Sequence, residues 1–149
     1  MHTQQVQDLE SNLLSISLLE GIAEFVSMLA TGTTQSHLPA LQYGLQHDAQ
    51  LREVFKKDMF SYEYGCWLWS DAKNEFGTRD LAYYMGYAIA KKYYEQTSDK
   101  QAAIKEMIEL DHYKEEEIEA FVNHSGYFKE SMEVWKKEYR NIENEALIR

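Results

Sequence analysis

The sequence predicts a single all-α domain of six to eight helices, and three observations carry that reading. The 149 residues include only 1 Pro and 7 Gly, too few for the many turns of a β-sandwich or barrel. Hydrophobic residues make up 44%, enough for a real core. Apolar residues recur at three- and four-residue spacing along most of the chain, whereas the strict alternation of strands appears nowhere over a useful length. At this length one domain, 1–149, is expected.

Each helix has its own signal. Ser15 to Leu29 carries Leu18, Ile22, Phe25 and Leu29 within a narrow arc, with Gly32 as a stop. Thr31 to Pro39 reads as a polar loop. Leu38 to Trp69 holds one or two helices, with Asp48 as an internal cap. Asn74, Gly77 and Thr78 mark the next break. Arg79 to Gln96 is apolar nearly all round and should be the central, most buried helix, capped by Thr78. Leu81, Met85, Ala88 and Ile89 share one face; Tyr83, Tyr87, Ala90 and Tyr94 share the other. Ser98 caps the next helix, with Gln101 at the reciprocal capping-box position. Lys114 to His124 is a short acidic helix ended near Gly126. Lys129 to Ile148 is a charged last helix with Met132, Trp135 and Tyr139 as its apolar stripe.

Charge and composition exclude several classes. The net charge is −10 and the isoelectric point is near 4.9, which argues against nucleic acid as a partner. The acidic front is either a solvated surface or one wall of a cation site: no Lys or Arg precedes Arg52, while Asp8, Glu10, Glu20, Glu24 and Asp48 do. No run approaches the ~20 apolar residues of a membrane span. MHTQQVQDLE is not a secretory signal, and the sequence assigns no compartment. The single cysteine, Cys66, excludes an internal disulfide and a four-cysteine zinc site; in its aromatic surroundings it reads as a buried inert thiol. Gly32-Thr-Thr lacks the lysine of a phosphate loop. Glu109-Leu-Asp-His112 lacks the second copy a di-iron bundle requires. His37, His47, His112 and His124 are isolated and read as ordinary surface or core histidines. The tyrosine stripe is either packing or a wall whose hydroxyls donate to a substrate carbonyl or oxyanion, with Tyr83 and Tyr87 as the candidate wall residues.

His2 and Glu20 are the informative pair. The opening MHTQQVQ resembles the end of a His-Glu-x-x-His zinc-peptidase helix. LLEGIAEFVSMLATG resembles the next helix of a glutamate zincin (gluzincin). DLAYYMGYAIAKKYY and FVNHSGYF are similar to segments of the predicted bacterial zinc-dependent peptidases once catalogued as a domain of unknown function. The resemblance covers residues 2–128, and the charged helical tail 129–149 lies outside it. It implies zinc as cofactor, a peptide or protein substrate, His2 and Glu20 as metal ligands, and Glu24 placed to orient a ligand histidine.

The spacing is compatible with such a site. Catalytic zinc takes three protein ligands and leaves one position for water. One unbroken helix would hold His2 and Glu20 about 27 Å apart, so the site demands a break, which Asp8, Glu10, Ser11 and Asn12 supply. A competing reading makes Ser17-Leu-Leu-Glu20 a capping box in which Glu20 satisfies a backbone donor. The first histidine of the motif and the glutamate that serves as general base would lie upstream of Met1. The expectation is therefore the helical C-terminal portion of a zinc metallopeptidase, inactive alone and binding zinc weakly. The alternative is a non-catalytic helical interaction module. Either way a homo-oligomer is expected, associating through Phe60–Trp69 and the Tyr83/Tyr87/Tyr94 face.

Overall fold

The computed structural model describes residues 11–71 and 74–148. Six helices follow in order: α1 Leu13–Thr31, α2 Pro39–Asp58, α3 Ala82–Gln96, α4 Lys100–Glu109, α5 Glu115–Ser125 and α6 Met132–Ile148. No strand occurs among the described residues, so the all-α expectation holds.

α1 begins where Asn12 caps it, the Asn12 side chain accepting from the Ser15 N–H at 2.9 Å. It ends at Gly32, whose φ of 70° closes the C-terminal turn. Ser17 lies inside the helix, and its hydroxyl donates back to the Leu13 carbonyl at 2.6 Å. The capping-box reading of Ser17 and Glu20 therefore fails. By length and composition α1 is apolar enough to cross a membrane. The reading of isolated apolar runs underrated it, because Glu20 and Glu24 interrupt the run without breaking its average. Its apolar side is spent inside the domain: Leu13, Leu14, Leu18, Ile22 and Phe25 are buried.

The partner of α1 is α3. Gly21 and Gly86 face one another, and a methyl group on Gly86 would overlap the Ser17 carbonyl, while one on Gly21 would overlap the Gly86 backbone. The helices can approach this closely only because both positions lack Cβ. α3 is the central helix the sequence predicts, with every residue from Tyr84 to Ala90 buried. It starts at Ala82, with no side-chain cap from Thr78. α4 is capped by Asp99, which accepts from Ala102 N–H at 3.1 Å, so the cap falls one residue beyond Ser98. α5 ends at Gly126 with φ 67°.

α2 starts with Pro39 in its first turn and ends at Asp58, well before Trp69. Its interior break is at His47 (φ −130°, ψ 26°). Asp48 follows that break without capping it. The start of α1 is tied to the end of α2: Leu13 N–H donates to the Ser61 carbonyl and Leu14 N–H to that of Met59, both at 2.8 Å. α6 leans on this junction. The Trp135 indole N–H donates to the Lys56 carbonyl at 2.6 Å, and the Tyr139 ring meets Phe60 edge-on at 5.8 Å.

Candidate functional site

Glu20 lies half-buried on α1, and the α1–α3 crossing brings it to Tyr83. The Tyr83 phenol lies close enough to the Glu20 carboxylate and the Trp69 indole for both to act on its pKa. Burial pushes the phenol above its ordinary value, the Trp69 indole pulls it down, and the Glu20 charge adds to the rise. Tyr83 is therefore a neutral hydrogen-bond donor at physiological pH, not a base.

Glu24 lies one turn further along α1. It accepts from the Ser36 hydroxyl at 3.1 Å, and Ser36 Oγ in turn accepts from Leu38 N–H at 3.0 Å. It latches the loop between α1 and α2. Tyr87 is almost wholly buried, 5.8 Å edge-on to Phe25. Burial raises its pKa, with the Glu95 and Glu24 charges adding. Tyr94 also meets Phe25 edge-on, at 5.4 Å. Of the tyrosine face, then, Tyr83 stands at a polar site and Tyr87 is mainly packing.

His2 lies outside the described residues. Among the described residues no three or more His, Cys, Asp or Glu side chains come together as a metal-holding group. Glu109 pairs with Lys105 at 3.0 Å. His112 faces the Ser15 carbonyl through Nδ1 at 3.2 Å, and burial pushes its pKa down despite that hydrogen bond. Cys66 is half-buried rather than enclosed. The aromatic segment expected to be open surface is mostly packed inside: Phe60, Trp67 and Leu68 are buried, while Tyr62 and Trp69 are exposed.

Sequence reasoning missed a second polar cluster. Asp48 accepts hydrogen bonds from the hydroxyls of Tyr84, at 2.7 Å, and Tyr127, and from Arg52. Arg52 also donates to the Tyr127 carbonyl at 2.8 Å, with its guanidinium 4.0 Å from the Tyr127 ring centroid. Burial raises the Asp48 pKa, but the hydrogen bonds from Tyr127, Tyr84 and Arg52 outweigh it and hold the carboxyl below its ordinary value. The same burial drives both phenols far up. The Tyr84 ring lies against Gly44, where a side chain would displace it. The cluster borders a shallow cavity of about 240 Å³ that Tyr87, Lys91, Lys92 and Glu95 also line. It joins α2, α3 and the turn after α5 in one network. The Asp48/Arg52 spacing of four was the only sequence signal for it.

These features define a helical domain with a carboxylate–phenol pair at its main helix crossing. No family model matches the chain, and neither does any curated protein or solved structure.

Proposed function

We propose that this chain is the helical, substrate-facing portion of a gluzincin-like zinc metallopeptidase, with Glu20 as its carboxylate ligand and Tyr83 beside it. The juxtaposition of Glu20 and Tyr83 across the α1–α3 crossing carries the reading. A ligand carboxylate needs a fixed position, and the helix packing of Gly21 against Gly86 supplies one. A neutral phenol next to that carboxylate can hydrogen-bond a substrate carbonyl. The helix start at Asn12 supplies the break that a ligand from the preceding segment requires.

The described residues do not complete a zinc site. They offer Glu20 alone, against the three protein ligands catalytic zinc takes. His2 and a histidine upstream of Met1 would have to supply the others, and the general base would come from upstream too. Zinc, where bound, would activate a water for attack on a peptide carbonyl. The chain's own residues hold the carboxylate and the neighbouring donor.

Zinc titration with a peptide-library assay tests this on two lengths of chain. The 149-residue chain is expected to bind zinc weakly and to cleave nothing. A longer chain carrying His-Glu upstream should gain affinity and rate together, and Glu20→Ala in it should abolish tight binding. Indifference of binding to Glu20→Ala would remove the peptidase reading. Robust zinc-dependent cleavage by the 149-residue chain would refute the half-site account.

A second reading, a self-associating interaction module, draws on the exposed Val134, Ile142 and Leu147 of α6. Sedimentation distinguishes it by oligomeric state without zinc.

A further inference from the structure

The cavity of about 240 Å³ beside Asp48 is walled by α2, by α3 and by the turn after α5. The Asp48 network occupies most of the polar groups there. Tyr84, Tyr127 and Arg52 all donate to Asp48. Arg52 Nη1 donates to the Tyr127 carbonyl, and Arg52 Nε is enclosed. Asp48 and Arg52 balance each other in charge. None of these groups is open to a ligand.

Other polar residues of the cavity are uncommitted. Lys91, Lys92 and Glu95 line it without a side-chain hydrogen bond or ion pair among the described residues. Lys91 stands out. The other described lysines and arginines that are at least half-buried, Arg52, Lys56 and Lys136, each hold a carboxylate. Among the described residues only Lys91 is half-buried and holds none. A partly desolvated ammonium without a counter-charge is unfavourable, and a bound anion would relieve it. Tyr87 adds a donor at the same cavity. It is 8% exposed, and its hydroxyl has no partner among the described residues. Burial raises its pKa, so the hydroxyl is protonated at physiological pH. Leu45 and Ala88 complete the lining with apolar surface.

We propose that this cavity binds a small aromatic carboxylate, with Lys91, Lys92 and the Tyr87 hydroxyl holding the anionic group and Leu45 and Ala88 meeting the ring. Two uncommitted ammonium groups against one carboxylate, Glu95, leave a single positive charge open. That balance matches a monoanion rather than a dianionic phosphate ester. Size limits the rest of the ligand. A cavity of about 150 Å³ takes up benzene, so this one has room for a benzene ring carrying a short acid. Drug-sized ligands occupy about 300–1,000 Å³ and are too large. The site uses neither zinc nor Glu20 and stands apart from the metallopeptidase reading.

The test titrates phenylacetate, without metal, into the ¹⁵N-labelled 149-residue chain. The amide signals of Lys91, Gly126 and Tyr127 should shift saturably in the millimolar range. Phenylacetamide, the neutral isostere, and phenethylamine, a cationic counterpart, should bind at least about tenfold more weakly. Phenyl phosphate should bind no more tightly than phenylacetate. Lys91→Gln should weaken phenylacetate about tenfold and Tyr87→Phe about threefold. The melting temperature should be unchanged in Tyr87→Phe and unchanged or raised in Lys91→Gln, where an unpaired charge is removed. That readout separates lost binding from lost folding, and the ligand series on the wild-type chain decides the question without any variant. Unmoved cavity amides, equal binding of phenylacetamide, tighter binding of phenyl phosphate, or undiminished binding to a folded Lys91→Gln would each overturn the proposal.

Discussion

Gly21 of α1 and Gly86 of α3 pack backbone to backbone, with no room for a methyl group on either. Everything proposed for Glu20 and Tyr83 depends on that approach, because each lies within one turn of the crossing.

Gly86→Ala should therefore destabilise the fold by about 2–3 kcal/mol, as overpacking of a tight contact does. Urea unfolding against wild type measures it. A loss under about 0.5 kcal/mol, the size expected of an uninvolved surface position, would mean that the helices separate freely.

Asp48→Ala should cost about 2 kcal/mol, because it strips the acceptor from two buried phenols and Arg52. The pH dependence has a definite sign. The Asp48 carboxyl is held below its ordinary 3.8 in the folded state, so its charge contributes stability that is present above that value and lost as pH falls through the lower folded one. The stability gap between wild type and Asp48→Asn should be widest near neutral pH and close on acidification. A gap independent of pH would show that the charge is immaterial.

Several phenols should resist ionisation. Tyr62 is pushed up to about 12, chiefly by its hydrogen bond to Glu115. Tyr93 and Tyr139 reach about 12 through burial and their hydrogen bonds to Glu106 and Glu143. A phenol raised in the folded state contributes stability that is complete below its unfolded value of 10.0 and is lost as pH rises through the folded one. Alkaline unfolding between those values should accompany the late absorbance of tyrosinate. Full titration near 10 with the fold intact would contradict these phenol–carboxylate hydrogen bonds.

Glu130→Ala should be more harmful than most surface changes. Lys56 is 8% exposed and relies on Glu130 at 2.9 Å, with Glu53 more distant at 3.5 Å. Burial lowers the Lys56 pKa, yet its carboxylate neighbours raise it overall. Loss of Glu130 leaves a nearly buried ammonium with its weaker partner, at a cost of about 2 kcal/mol. Calorimetry on Glu130→Ala and Glu130→Gln measures it, with the glutamine variant the milder.

Association is testable directly. Ile142 and Leu147 are 58% and 84% exposed on α6. If the chain self-associates through them, Ile142→Glu with Leu147→Glu should lower the sedimentation coefficient at tens of micromolar. A monomeric wild type at that concentration would remove the self-association reading.

α1, α3 and α5 were legible in the sequence because periodic apolar residues and punctuation agreed there. Gly32 and Gly126 stop helices as expected, and Arg79–Gln96 misplaces only the start of α3. Caps were less legible. Ser98 and Asp99 are both good caps, and only tertiary placement chooses Asp99. Asp48 resembled a cap, yet its partners lie 36 and 79 residues away in Tyr84 and Tyr127, a distance no local pattern encodes. The expected helical stretch from Leu38 to Trp69 ends at Asp58. Beyond Asp58 the order comes from side chains binding backbone, as where the Asp80 carboxylate accepts the Trp69 N–H at 2.7 Å. Of the candidate site, the sequence marked Glu20 and Tyr83 separately, and the glycine crossing joins them.

The dependence of α1 on distant segments has a consequence for biosynthesis. α1 is made before the described segments that pack on it, since its apolar side waits for α3 and its first turn for Ser61 and His112. At a translation rate of about 5–20 residues per second, the interval between the end of α1 and Tyr93 is on the order of 3–12 s. For that time a nascent chain carries a helix apolar enough to enter a bilayer without the α3 surface that covers it. Its exposure to holding chaperones or to membrane targeting is set during synthesis and ends when α3 emerges.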